Sequence, residues 1–316
     1  TGTIPLGRSI LSHQTPYSLG HYSIVERIAD GSYGNVSIAE TTHGRRVAIK
    51  FVSTDNPNSK NSFQHAMDEI RILSKLGHPG VISLVAVYIT VDRSKVWLVE
   101  RLVDGPSCAE LMEGGYFSYK LPKNVLYRRL AHFFQRTLRT LDFLHQPMHG
   151  DRKNLRVLHR DIKPANIVAV TRLPTSYLGM RKRAIKEIMA NQENDFVVDY
   201  IFVDFNLSQM VKNTSTEVSG TPLYSPPEYV YEQPHGPPAD LFALSLTGKA
   251  LVQGEDYVNE RRRQFLPEVE RDFPELVQFV SLMWDDDPAK RAIIQDLMKN
   301  IFLTHAAVKV TPPRKK

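Results

Sequence analysis

The stretch His159-Arg160-Asp161-Ile162-Lys163-Pro164-Ala165-Asn166 constrains this chain more than any other, because it puts a carboxylate, an ammonium and a carboxamide into one short loop. Asp161 has the chemistry to accept the proton of an incoming alcohol, Lys163 to neutralise charge on a migrating phosphate, and Asn166 to hold a metal ion. Together they are the groups needed to move a phosphoryl group from a nucleotide onto a hydroxyl. The bland alternative is a polar turn ahead of the strand-like Ile167-Val168-Ala169-Val170. The remainder of the chain must then supply the other parts.

Upstream, Tyr22, Ile24 and Ile28, then Val36 and Ile38, then Val47 and Ile49 read as three short strands, separated by turns at residues 30–34 and 42–44. Gly31 and Gly34 in the first turn let backbone amides approach a phosphate with no Cβ in the way. Phe63, Met67, Ile70, Leu73 and Leu76 recur at helical spacing, so one amphipathic helix is predicted over residues 60–76, with Glu69 inside it. Two further strands are predicted over 81–90 and 95–101. Leu126, Leu130, Phe133, Leu138, Leu141 and Leu144 mark a long buried helix ending near His145-Gln146-Pro147. Residues 197–203 look like another strand, followed at once by Asp204-Phe205-Asn206.

The octet resembles the catalytic loop of eukaryotic-type protein kinases, and Lys163, two residues after the aspartate, is the choice of their serine/threonine branch. The resemblance runs from about Tyr22 to His305. It implies a bilobal α+β kinase fold: a small β-rich N-lobe with its helix C over residues 21–103 and a larger helical C-lobe over 104–305. Residues 1–20 are then an N-terminal extension and 306–316 a basic tail.

The same resemblance assigns roles. Ile28-Ala29-Asp30-Gly31-Ser32-Tyr33-Gly34-Asn35-Val36 matches the glycine-rich loop, with Ala29 at the first glycine; Ile28, Gly31, Ser32, Gly34, Val36 and Ala48 would line the ATP site. Val47-Ala48-Ile49-Lys50 supplies the phosphate-gripping lysine, and Glu69 the helix-C partner that holds it. Leu102-Val103-Asp104-Gly105 resembles the hinge segment. Val99 would then be the gatekeeper, the Glu100 carbonyl and Leu102 backbone would bond adenine, and Val168 would lie beneath it. A valine gatekeeper predicts binding of inhibitors with a bulky group directed past it. Asp204 and Asn166 would hold Mg²⁺, and Thr221, in Ser219-Gly220-Thr221-Pro222, would touch Asp161 and Lys163. Asp240 would anchor the catalytic-loop backbone, and Glu228 of Pro226-Pro227-Glu228 would pair with Arg291.

Besides Ala29, four features depart from the pattern. Asn206 replaces a glycine, although asparagine tolerates positive φ, and restricted flipping of the segment is predicted. Asp204 follows Asn166 by 38 residues, which leaves an insertion at about 171–195. It carries Arg181, Lys182, Arg183 and Lys186 beside Ile185, Ile188 and Met189, either a docking face over 181–189 for a partner, an acidic substrate or a membrane, or a solvated excursion. An enlarged surface loop is read at 148–154. Glu217 stands where a phosphorylated residue would face Arg160, with Thr214, Ser215 and Thr216 beside it.

Composition narrows the remaining classes. A chain of 316 residues with 42% apolar content builds a large core. No apolar run of about 18 residues and no secretory leader is visible, so neither a membrane span nor secretion is expected. The single cysteine, Cys108, fits a reducing, intracellular and cytoplasmic setting, with nuclear entry left open. A net charge of +6 suits phosphate-bearing ligands but is too diffuse to predict nucleic-acid binding. The expectation is an ATP- and Mg²⁺-dependent serine/threonine protein kinase acting on protein substrates. The rival is a pseudokinase-like scaffold with little transfer, encouraged by Ala29, Asn206 and the poor match to the family over residues 254–273.

Overall fold

The computed structural model describes residues 21–31, 34–53, 62–148, 154–172, 196–231, 233–260 and 263–307. The expectations for the extension 1–20, for Ser32, for the centre of the 148–154 loop, for the insertion from residue 173 with its 181–189 face, and for the tail from residue 308 lie outside the described residues. The chain gathers into two compact units. Among the described residues, one comprises those up to Val103 together with Asp204–Gln209; the other comprises those from Asp104 to Val203 and from Met210 onward.

The first unit is an antiparallel sheet built from β1 (Tyr22–Gly31), β2 (Gly34–Thr41), β3 (Arg46–Ser53), β4 (Leu84–Ile89) and β5 (Lys95–Arg101), in the order β1-β2-β3-β5-β4. Alternation assigns its two faces. Ala39, Val47, Ile49 and Val99 form a cluster on one face. Val52, Val96 and Leu98 face the other way and pack on Ala66 and Ile70 of helix α1 (Ser62–Leu73). The helix stops three residues short of the predicted end because Lys75 N turns to the Ile72 carbonyl, an i→i−3 bond that tightens the last turn.

In the second unit, α2 (Cys108–Glu113) opens with a capping box. The Ser107 hydroxyl accepts from Glu110 N, and the Glu110 carboxylate accepts from Ser107 N. Helix α3 (Lys123–His145) is amphipathic, whereas the helix Pro237–Gln253 is buried on every face from Ala239 to Val252, as a helix apolar all round must be. The two meet closely at Gly248. A Cβ there would stand 2.3 Å from Phe134 Cζ, so only glycine lets the ring in. Phe134 continues the core to Phe279 at a centroid distance of 5.0 Å.

Between these helices in sequence lie the short β6 (Arg156–Leu158) and the antiparallel pair β7 (Ile167–Thr171) and β8 (Val197–Phe202). Phe133 of α3 packs edge-on against Tyr200 of β8 at 5.2 Å, which seats this pair on the helix. The loop carrying the octet therefore leaves β6 and enters β7 from rigid supports at both ends. Cys108 is a buried free thiol whose pKa burial pushes far up, the profile of a packing residue and not of a nucleophile. Among the described residues no helix is long and apolar enough to cross a membrane.

Candidate active site

Each unit carries one cluster of the singled-out residues. In the first unit Lys50 Nζ donates to Glu69 Oε1 at 3.0 Å, to Glu69 Oε2 at 2.9 Å and to Asp204 Oδ1 at 2.7 Å. Glu69 Oε1 also accepts from Phe205 N at 3.2 Å, which ties the helix to the Asp204 segment. Burial alone would lower the Lys50 ammonium, but the charges of Glu69 and Asp204 outweigh it and hold the group well above its ordinary value. The lysine is thus a fixed cation.

Asp204 itself has φ +62°. Positive φ within the Asp204-Phe205-Asn206 triplet falls on the aspartate, and Asn206 is not among the positive-φ residues. The asparagine therefore needs no tolerance of a left-handed backbone: its Cβ costs nothing there, and its side chain is buried.

One expected role is corrected by strand register. Lys50 lies opposite Leu98, Ile49 opposite Val99 and Ala48 opposite Glu100. Val99 accordingly points to the face away from Lys50, into the cluster with Ala39, Val47 and Ile49, and cannot stand as gatekeeper over a ligand held by that lysine. Glu100 occupies the Lys50 face instead. Val36, directly opposite Lys50 on β2, shares this face with Ala48. Ile28, Gly31 and Gly34 lie on β1 and β2 about the same turn, and Leu102 follows β5.

The second unit holds the octet. Asp161 Oδ1 accepts from Thr221 N at 2.9 Å and Thr221 Oγ1 at 2.7 Å, while Oδ2 accepts from Asn166 Nδ2 at 2.8 Å. Lys163 Nζ lies 2.9 Å from Asp161 Oδ2 and donates to Thr221 Oγ1 at 2.7 Å. The threonine hydroxyl thus accepts from the lysine and donates to the aspartate. Burial pushes the Asp161 carboxyl up, but hydrogen bonds from Lys163 and Thr221 outweigh it, so the group lies below its ordinary value and is a carboxylate at neutral pH. Val168 on β7 pairs with Ile201 and bridges to Ser107.

Two glycine-like constraints keep this loop in shape. Gly220 has φ +112°, and a Cβ on it would stand 2.3 Å from the Arg160 carbonyl oxygen, so the residue before Thr221 can only be glycine. Arg160, at φ +69°, is a non-glycine held left-handed, a conformation that persists only when its surroundings impose it. Asp240 imposes it: its carboxylate accepts from His159 N at 3.0 Å and Arg160 N at 2.9 Å.

A third partner of Asp240 escaped the sequence analysis. His145 Nε2 lies 2.9 Å from Asp240 Oδ2, joining the end of α3 to the helix that begins at Pro237. Burial would raise Asp240, yet its hydrogen bonds, His145's first, hold it below its ordinary value. Only the position of a histidine at the foot of a buried helix could have hinted at this. Among the described residues no group of three or more His, Cys, Asp or Glu is arranged to hold a metal by itself.

Arg160 Nη1 lies 3.3 Å from Glu217 Oε2, whose side chain is 61% exposed. Ser215 is buried and exchanges backbone hydrogen bonds with His235. A carboxylate already faces the arginine, so a variant with Thr214, Ser215 and Thr216 all changed to alanine should keep most of the transfer rate. Steady-state assay of that variant checks it, and a tenfold or larger fall would show that a phosphate on this segment is required.

A family model described as "Protein kinase domain" matches residues 22–303. Human NUAK family SNF1-like kinase 2 is 27% identical over 252 residues, 78% of this chain and 33% of that protein. Serine/threonine-protein kinase CLA4 of Candida albicans is 24% identical over 319 residues, 96% of this chain and 28% of its own length. A probable serine/threonine-protein kinase of Dictyostelium discoideum, mkcB, is 27% identical over 304 residues, 90% of this chain and 35% of its own. The chain spans about a third of the length of these curated relatives.

Proposed function

Because the chain belongs to the protein kinase family, we propose that it transfers the γ-phosphoryl group of ATP to serine and threonine hydroxyls of protein substrates. The observation that carries the reading is the Asp161–Lys163–Thr221 cluster, in which one ionised carboxylate, one ammonium and one hydroxyl are locked together at hydrogen-bond distance. The printed names of relatives such as the Candida albicans and Dictyostelium discoideum proteins describe serine/threonine kinases, which favours the same acceptor class.

Each group has a task. Lys50, kept charged by Glu69, binds the α- and β-phosphates and fixes where the γ-phosphoryl begins its flight. Asp161 receives the substrate hydroxyl as a hydrogen-bond donor and aims its oxygen in line with the phosphorus. A carboxylate held below its ordinary pKa is a weak base. Its larger contribution is orientation, and the proton reaches it late, as the new O–P bond forms. Lys163 offsets the charge on the transferring group, and Thr221 keeps both side chains in place.

Mg²⁺ suits the oxygen donors present. Asp204 offers a carboxylate, and Asn166, whose Nδ2 is committed to the Asp161 carbonyl at 2.9 Å and carboxylate at 2.8 Å, offers its carboxamide oxygen. The ion would neutralise the phosphates when bound. Everything else in the reaction is positioning by side chains already fixed.

The acceptor class is tested by incubating the purified chain with Mg-ATP and a generic basic substrate protein, then mapping phosphopeptides. Phosphate on serine and threonine is expected. Phosphate on tyrosine alone would contradict the proposal.

A further inference from the structure

Glu100 is a buried charged group on the Lys50 face of the sheet whose chemistry the proposed reaction leaves unused. Its side chain is 8% exposed, and Oε1 is shielded from solvent with no hydrogen-bond partner among the described residues. It lies opposite Ala48 on β3, two residues along the strand from the pair Lys50 and Leu98. At about 3.3 Å per residue this displaces it by roughly 7 Å from the phosphate-gripping lysine. Lys50 cannot answer it, because that ammonium is already committed to Glu69 and Asp204.

A buried acceptor without a donor is costly, and a donor brought by a bound molecule is one way to complete it. Burial first, then the negative charge of Glu69, pushes this carboxyl up to about 8, another sign that the protein alone does not satisfy it. Val36 and Ala48, which the family resemblance assigns to the ATP site, share this face with Lys50 and Glu100, so a nucleotide with its phosphates on Lys50 would lay its base along it. Ribose hydroxyls both donate and accept, so they make no distinction. The base does: a 6-aminopurine presents an N–H donor at the edge where a 6-oxopurine presents an acceptor.

We propose that Glu100 is a specificity-determining residue of this enzyme, its carboxyl accepting a hydrogen bond from the exocyclic amino group of the nucleotide base and so favouring 6-aminopurine over 6-oxopurine nucleotides. The inference rests on reading the chain as an ATP-using kinase. Against the ionised carboxyl an oxo group would set acceptor against acceptor, which is worth about tenfold to a hundredfold in affinity.

The test is the affinity of the full chain for Mg-ATP and for Mg-ITP by calorimetry, at about pH 9, where the carboxyl is an acceptor only. The wild type should prefer ATP by about tenfold to a hundredfold. Glu100→Met, which removes the acceptor, should bring the two affinities together, while Glu100→Gln, which keeps a carbonyl oxygen, should retain part of the preference. Val99→Met, on the opposite face, should leave the ratio unchanged. Equal affinities in the wild type would overturn the inference without any need for a folded variant, and so would an undiminished preference in Glu100→Met. If the wild type binds neither nucleotide, the kinase reading itself falls and the inference with it; if it binds both equally, only the inference falls.

Discussion

Arg291→Ala should destabilise the second unit by about 3–5 kcal/mol, the cost of removing one partner of a buried ion pair. The two side chains meet as parallel forks: Arg291 Nη1 donates to Glu228 Oε1 at 2.7 Å and Nη2 to Oε2 at 2.6 Å. The arginine is 0% exposed at its side chain and the glutamate 1%. Its other donors reach the Asp285 carbonyl at 2.8 Å and the Pro238 carbonyl at 3.0 Å, so one guanidinium joins three separate stretches of chain. Alanine leaves a buried carboxylate and two backbone acceptors without donors. Lysine restores charge but not the planar fork, and should recover only part of the loss. Chemical denaturation of the three proteins measures this. A loss under about 1 kcal/mol for Arg291→Ala would mean that water or a rearranged neighbour satisfies Glu228.

Asp161→Asn should reduce kcat by about 10²–10⁴ while leaving affinity for ATP close to the wild-type value. An amide keeps the volume of the side chain but replaces one acceptor oxygen with a donor. Whichever way it is turned, its N–H₂ meets donors, either Thr221 N at Oδ1 or Asn166 Nδ2 and Lys163 at Oδ2. The one oxygen that remains is uncharged and already engaged by its donors, so the incoming hydroxyl loses its ionised acceptor. Lys50, Glu69 and Asp204, which hold the nucleotide in the proposed reaction, belong to the other unit and are untouched. Parallel measurement of kcat, of the ATP dissociation constant and of the melting temperature separates the outcomes. A kcat within about threefold of the wild type would remove Asp161 from the chemistry, since a positioned proton acceptor contributes far more than that.

How legible all this was in the sequence depends on distance along the chain. Asp161, Lys163 and Asn166 lie within six residues of one another, so their chemistry could be read in one glance; the helical spacing around Glu69 placed it on a helix, and the family resemblance paired it with Lys50. Long-range pairing of side chains was harder. His145 meets Asp240 across 95 residues, and the only local hint is a histidine at the foot of a buried helix. The face on which Glu100 lies was lost for a different reason. A one-residue change of register turns every side chain of a strand over, and matching the hinge by residue type put Val99 on the wrong side. Counting parity from Leu98, which packs with Val96 and Val52 against α1, would have put Glu100 on the Lys50 face. The triplet at Asp204 misled in the same way, because the need for positive φ was attributed to the residue that differs from the family, while the backbone turns at the aspartate.

The central claim is that this chain moves the γ-phosphoryl group of ATP onto a protein hydroxyl, and the most direct measurement is a single-turnover transfer experiment. Mg-ATP labelled at the γ-position, bound by an excess of the purified chain, is mixed with substrate protein and quenched over time. The account predicts that label appears on substrate serine and threonine as it leaves ATP, in equal amounts. Saturable ATP binding with no label on protein, or label released only as free phosphate, would contradict it.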